Sequence, residues 1–166
     1  MRLGIGSGVF VVAALVGVSL PAQDRFAKWE GAIAAFERQD REDPPQPGGV
    51  LFLGSSSIRM WKLDESFPGM RVVNRGFGGS EIIDSVHFFE RIVVPHAPRC
   101  VVFYAGDNDI AHDTAPEQVH ANFEAFVGLL HKHLPETRLV YVPIKPSLKR
   151  WNLIEQGRQA NGLIRA

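Results

Sequence analysis

The chain has 166 residues, with 18 Lys plus Arg against 18 Asp plus Glu and a formal net charge of zero. That length suits one domain rather than two ordinary ones, and without a basic surplus a general nucleic-acid binder is excluded. At 45% hydrophobic and 22% charged residues, a mainly disordered chain and a multi-span membrane protein are excluded too, and one cysteine, Cys100, leaves no internal disulfide or cysteine-based zinc site.

Residues 1–22 read as a signal peptide: Arg2, an apolar run over 9–20, then Pro21-Ala22-Gln23. Cleavage after Ala22 and export to the periplasm or medium are expected. The alternative is an uncleaved membrane anchor, since about 20 apolar residues span a bilayer. Residues 24–39 follow as a helix with Phe26, Trp29, Ile33 and Phe36 on one face. A loop over 40–49 holds Pro44, Pro45 and Pro47. Residues 23–49 therefore lead into a main domain, residues 50–166.

Val50-Leu51-Phe52-Leu53 is a short apolar run bounded by glycines, the pattern of a strand buried on both faces of a parallel sheet. The same pattern returns over residues 71–73, 100–104 and 139–144. Between the runs lie helical stripes. One comprises Ile82, Ile83, Val86, Phe89 and Ile92, starting near Ser80 and Glu81. Another comprises Val119, Phe123, Phe126, Val127, Leu130 and Leu134, starting at Thr114 before Pro116 and Glu117. Residues 151–166 form a last helix. Alternating strands and helices predict an α/β fold with a parallel sheet and helices on both sides.

In such a sheet ligands bind beyond the carboxyl ends of the strands. Three polar, glycine-marked loops follow the first three strands: Gly54-Ser55-Ser56-Ser57-Ile58, Asn74-Arg75-Gly76-Phe77-Gly78-Gly79-Ser80 and Gly106-Asp107-Asn108-Asp109. A serine in a tight strand-to-helix turn can serve as a nucleophile. Backbone N–H groups at a glycine turn and an asparagine amide can meet a developing oxyanion, where one donor is worth about 2.7–4 kcal/mol. Taken singly, the loops have plainer readings. Ser-Ser-Ser is an ordinary turn or cap. Neither the phosphate-loop spacing nor the dinucleotide spacing is met. Asp107 and Asp109 could ligate a hard metal, but no second carboxylate cluster accompanies them.

Together, in this order, the three loops resemble the blocks of the SGNH, or GDSL-type, hydrolases, over roughly residues 50–144. The resemblance implies a three-layer α/β/α, flavodoxin-like fold and hydrolysis of carboxylic esters through an acyl-serine intermediate, with no cofactor or metal. It assigns Ser56 as nucleophile and the Ser56 N–H, the Gly79 N–H and the Asn108 side chain as oxyanion donors. Acetylated carbohydrates or small acyl esters are the expected substrates, with lipid esters next. Trp61, Phe67 and Phe77 are candidates to line an acyl pocket or, as such aromatics more often do, to fill the core.

Two departures stand out. Ser55 replaces the aspartate common before the nucleophile. The family's Asp-x-x-His block, which supplies the general base after a fifth strand, has no counterpart in place. The one match, Asp109-Ile110-Ala111-His112, follows the wrong strand, and His87, His96, His120, His131 and His133 read as surface or packing residues. The general base is therefore left unassigned. The chain is expected to be a C-terminally truncated piece, inactive as it stands, with the fifth strand and final helix missing and the fourth strand exposing an unpaired edge. Rival readings are a non-catalytic carbohydrate-binding domain on the same fold and a metal phosphoesterase using Asp107 and Asp109.

Overall fold

The computed structural model describes residues 24–166; the predicted signal peptide, and the export expected from it, lie outside the described residues. The four apolar runs pair as β1 (Val50–Gly54), β2 (Val72–Gly76), β3 (Cys100–Tyr104) and β4 (Arg138–Tyr141). All pairings are parallel, and the order is β2-β1-β3-β4. Leu51 lies opposite both Val73 and Val101, and Val101 lies opposite Leu139. The helices are α1 (Glu30–Glu42), α2 (Ser56–Arg59), α3 (Leu63–Ser66), α4 (Ile82–His87), α5 (Phe89–Ile92), α6 (Asp107–Ala111), α7 (Pro116–His133) and α8 (Ile154–Arg165).

Side chains alternate across the sheet. Leu51, Leu53, Val101, Phe103, Leu139 and Tyr141 meet α1, α4, α5, α7 and α8 in the larger core. Val50, Phe52 and Tyr104 meet Ile58 of α2, Leu63 of α3 and Phe67 on the opposite face. Helices thus flank both faces, giving the α/β/α arrangement with the strand order expected of a flavodoxin-like sheet. Ile33 of α1 is fully buried in the larger core, which joins residues 30–42 to the main domain.

Several boundaries differ from expectation, each for a local reason. Asp24 does not enter a helix: its Oδ1 accepts the Phe26 N–H at 3.0 Å, competing with helical bonding, and a 3-10 turn, Ala27–Trp29, precedes α1. The helix α1 then runs to Glu42, into the expected loop. The stripe from Ile82 to Ile92 breaks at buried Phe88 into α4 and α5, and the cap is Glu81, not Ser80. Glu81 and Asp84 form a reciprocal capping box there, with the Glu81 N–H donating to Asp84 Oδ2 at 2.8 Å. For α7, Pro116 occupies the first turn and Ala115, not Thr114, is the cap.

The strand β4 stops at Tyr141 rather than at residue 144. Pro143 has no N–H for a ladder, and the Ile144 N–H and carbonyl bond instead to Asn161 Oδ1 and Nδ2 of α8, at 2.8 and 2.9 Å. The last helix begins at Ile154, after a 3-10 segment, Leu148–Leu153, that leaves helical geometry at Arg150. Among the described residues β4 pairs with β3 alone, and Val140 is 48% exposed.

Candidate active site

Strand order reverses between β1 and β3, since β2 lies on one side of β1 and β3 on the other, and the three polar loops open at that point. Direct hydrogen bonds join them. Gly54 has φ +138°, and a Cβ there would collide with the Tyr104 carbonyl, so only glycine brings the ends of β1 and β3 this close. The Ser55 N–H then donates to Tyr104 O at 3.1 Å, tying the first loop to β3. The Phe77 N–H donates to Gly54 O at 2.9 Å, tying the second loop to the first. Asn108 Nδ2 donates to Ser80 O at 2.9 Å, tying the third to the second.

Ser56 is the first residue of α2 and is partly exposed; Ser55, at the cap position, is fully buried with its Oγ unpartnered. The turn is held from below by Asn74, whose Nδ2 donates to Ile58 O at 2.7 Å while its Oδ1 accepts the Gly76 N–H at 2.9 Å. Ser57 Oγ lies 3.1 Å from Lys145 Nζ, which also approaches the Tyr104 hydroxyl at 3.2 Å. Gly79 adopts φ +82°, and the Trp29 ring sits 3.4 Å from where a Cβ would stand. Among the described residues neither the Ser56 N–H nor the Gly79 N–H donates to a protein acceptor, whereas the loop around them is tightly bonded.

Asp107-Asn108-Asp109, expected as a loop, forms the first turn of α6. In this turn Asp107 and Asn108 meet Arg150, whereas Asp109 points away to Ile82. Asn108 is buried, its Nδ2 on Ser80 and its Oδ1 accepting from Arg150 Nη2 at 2.8 Å. Asp107 pairs with Arg150 Nη1 at 2.8 Å. Asp109 is fully buried and accepts the Ile82 N–H with both oxygens, at 3.2 and 3.3 Å. Burial first, and then the charges of Glu81 and Asp84, push its carboxyl up to about 7 against the pull of the Ile82 bond. Asp107 and Asp109 therefore do not converge as metal ligands, which removes the geometry the phosphoesterase reading requires.

His112 Nδ1 lies 2.7 Å from Glu81 Oε1, and Glu81 also accepts from Arg25 Nη2 at 2.9 Å. Burial opposes ionisation of Glu81, but these two bonds hold its carboxyl below the usual range. His87 stacks on Phe26, His96 meets Asp40 and Arg75, and His120 and His133 lie near Glu124 and Glu90. Among the described residues no histidine hydrogen-bonds Ser56.

Phe77 is buried in the core against Trp29 and Phe88, and Trp61 and Phe67 pack on Phe52 beneath the opposite face. Phe77 thus fills the core and Phe67 packs at the edge of the smaller one, whereas Trp61 stays 38% exposed and borders a surface hollow with Lys62, Glu65 and Asn74, away from Gly79 and Asn108. A cavity of about 240 Å³ lies beside Asp107 and Arg150, with Ile110, Ile144 and Leu153 in its walls. Arg150, Lys145 and Trp29 are the neighbours that sequence reasoning passed over. Trp29 sits in the apolar stripe of the first helix, where it reads as core, and no local pattern marks Lys145 or Arg150.

The profile of the GDSL-like Lipase/Acylhydrolase family matches residues 54–166. The chain belongs to this family. It is 29% identical over 147 residues to the platelet-activating factor acetylhydrolase IB subunit alpha1 of Rattus norvegicus, covering 84% of this chain and 60% of that protein. The chain thus spans about three fifths of the length of the curated relatives it matches.

Among solved structures, a GDSL-like lipase from Bacteroides thetaiotaomicron superposes with a TM-score of 0.63 at 18% identity, over 85% of this chain and 70% of that one. A variant of an acetyl-xylooligosaccharide esterase from Geobacillus stearothermophilus gives a TM-score of 0.57 at 17% identity, over 73% and 71%. At these identities the likeness is one of fold, and it agrees with the α/β architecture expected of the family.

Proposed function

We propose that this protein hydrolyses carboxylic esters of short acyl groups, acetyl esters above all, through an acyl-serine intermediate. Ser56 is the nucleophile, and the Ser56 N–H, the Gly79 N–H and Asn108 Nδ2 receive the oxyanion. The observation that carries this reading is the set of hydrogen bonds that closes the three loops on one another, which leaves a partly exposed serine beside two unengaged N–H groups and a buried amide donor. Donors fixed before the reaction cost no reorganisation when charge develops, which is how such a site lowers a barrier.

The steps follow. Ser56 Oγ attacks the ester carbonyl carbon and gives its proton to a base. The tetrahedral oxyanion collapses, the C–O bond to the alcohol breaks, and the alcohol leaves with the proton. Water then attacks the acyl-serine, forming the carboxylic acid and restoring Ser56. Among the described residues no histidine hydrogen-bonds Ser56 to serve as that base. The names of the acetylhydrolase and acetyl-xylooligosaccharide esterase relatives favour a short acyl group, acetyl first.

The test uses the full natural polypeptide with nitrophenyl esters of increasing chain length and a fluorophosphonate probe. Acetate is expected to turn over faster than laurate, and Ser56→Ala is expected to abolish labelling and cut turnover by about 10³-fold or more. Ser56→Ala that keeps wild-type turnover, or a label on another residue, would sink the assignment. Unaltered sugar binding with no turnover in either protein would instead favour the carbohydrate-binding reading.

A further inference from the structure

An asparagine amide fits the same space either way round, and its partners decide which end faces a substrate. At Asn108 the partners leave one choice. Arg150 Nη2 lies 2.8 Å from Oδ1, and a guanidinium only donates. Ser80 O lies 2.9 Å from Nδ2, and a carbonyl only accepts. One Nδ2 hydrogen is therefore engaged by Ser80, and the second remains for an oxyanion.

Arg150 is itself held in place. Its Nη1 donates to both the carbonyl oxygen and Oδ2 of Asp107, each at 2.8 Å. It leaves helical geometry inside Leu148–Leu153, at φ −122° and ψ 30°, which turns it toward α6. Its neighbours Leu148 and Trp151 stay 94% and 58% exposed. The guanidinium thus spans the backbone and side chain of one residue of α6 and the side chain of the next.

We propose that Arg150 is a positioning residue for the oxyanion hole, fixing the Asn108 amide with Nδ2 toward the reacting carbonyl and strengthening that N–H as a donor. The proposal rests on the ester-hydrolase reading above. A cationic donor on the amide oxygen draws electron density from the nitrogen through amide resonance. The C–N bond gains double-bond character and the N–H becomes a better donor, as in any chain of polarised hydrogen bonds. The guanidinium acts only as a hydrogen-bond donor, and no proton passes through it. Because the gain grows as charge develops on the oxygen, it acts on kcat more than on KM.

The experiment is a double-mutant cycle in the full natural polypeptide, with Arg150→Met and Asn108→Ala, singly and together, on an acetyl ester. Arg150→Met is expected to lower kcat roughly 10- to 100-fold with little change in KM. In the Asn108→Ala background the same change is expected to cost less than about twofold, because the residue it acts through is gone. Arg150→Lys, which keeps the charge but loses the fork, is expected to fall between. Equal losses in both backgrounds, or an effect on KM alone, would overturn the proposal.

A second readout does not depend on turnover. The Asn108 side-chain amide resonances are expected to lie downfield in the wild type and to move upfield in Arg150→Met. Resonances that ignore the substitution refute the proposal outright. Resonances that respond in a protein that hydrolyses no ester leave the Arg150–Asn108 contact standing and refute the ester-hydrolase reading instead.

Discussion

On one face of the sheet Leu51, Leu53, Val101 and Phe103 lie sealed beneath α1, α4, α5, α7 and α8, with Phe103 stacked on Phe126 at 4.3 Å between ring centroids. On the other, Val50, Phe52 and Tyr104 are covered by α2 and α3, each four residues long, and by Phe67, while Val140 stands 48% exposed. The site draws on both faces in different ways. The proposed oxyanion donors, Gly79 in the second loop and Asn108 in the first turn of α6, lie where the chain runs into the sealed side, and Ser80, Ile82 and Asp109 are fully buried there. Ser56 opens α2 on the thin side, where apolar burial is scarce and Asn74 supplies directional hydrogen bonds. In the proposed reaction, the donors that must not move rest on close packing, and the serine that must react rests on a short turn pinned by polar contacts.

The largest effect is expected on the sealed face. Phe103→Ala removes a ring packed on Phe126 and is expected to cost about 3–5 kcal/mol, read by urea unfolding. A loss near that of an ordinary surface change would mean the two faces contribute alike. On the thin face, Asn74→Ala is expected to cost about 1–3 kcal/mol, because the Ile58 carbonyl and Gly76 N–H lose a partner. Fluorophosphonate labelling of Ser56 should slow with it. Unchanged labelling would show that Asn74 does not hold the Ser56 turn.

The effect smallest at any one pH step, because it is spread over several pH units, concerns Asp109. Its carboxyl sits at about 7 in the folded protein, above the usual unfolded value near 3.9, so the proton is bound more tightly when folded. The stabilising contribution is fully present below about pH 4 and is lost as pH rises through about 7, at no more than about 1.4 kcal/mol per pH unit. Asp109→Asn, which keeps an oxygen for the Ile82 N–H, is expected to flatten that slope, so the variant gains on the wild type toward pH 8. Parallel pH profiles of melting temperature for the two proteins would break the argument.

Much of this architecture was legible in the chain. The four apolar runs and the intervening stripes predicted the parallel sheet, because burial on both faces leaves strands no polar alternation. The three glycine-marked segments were legible as tight turns that meet at one rim of the sheet, because a tight turn and a close backbone approach demand small residues locally, as at Gly54 and Gly79. Other features were not legible. The break of the Ile82–Ile92 stripe at Phe88 and the cap at Glu81 come from packing and from a capping box that competes with Ser80. His112, a match to a catalytic signature by spelling, is engaged with Glu81.

By itself, then, the sequence determined what neighbouring residues can settle among themselves: periodicity, turn chemistry and the order of three loops. Tertiary structure decided the rest. Asn108 meets Ser80 across 28 residues and Arg150 across 42, and Asp109 meets Ile82 across 27. The orientation of an amide and the acidity of a buried carboxyl depend on such distant partners and on the exclusion of water around them. Neither leaves a local pattern, so both emerge only when the sheet has closed and the loops have been brought together.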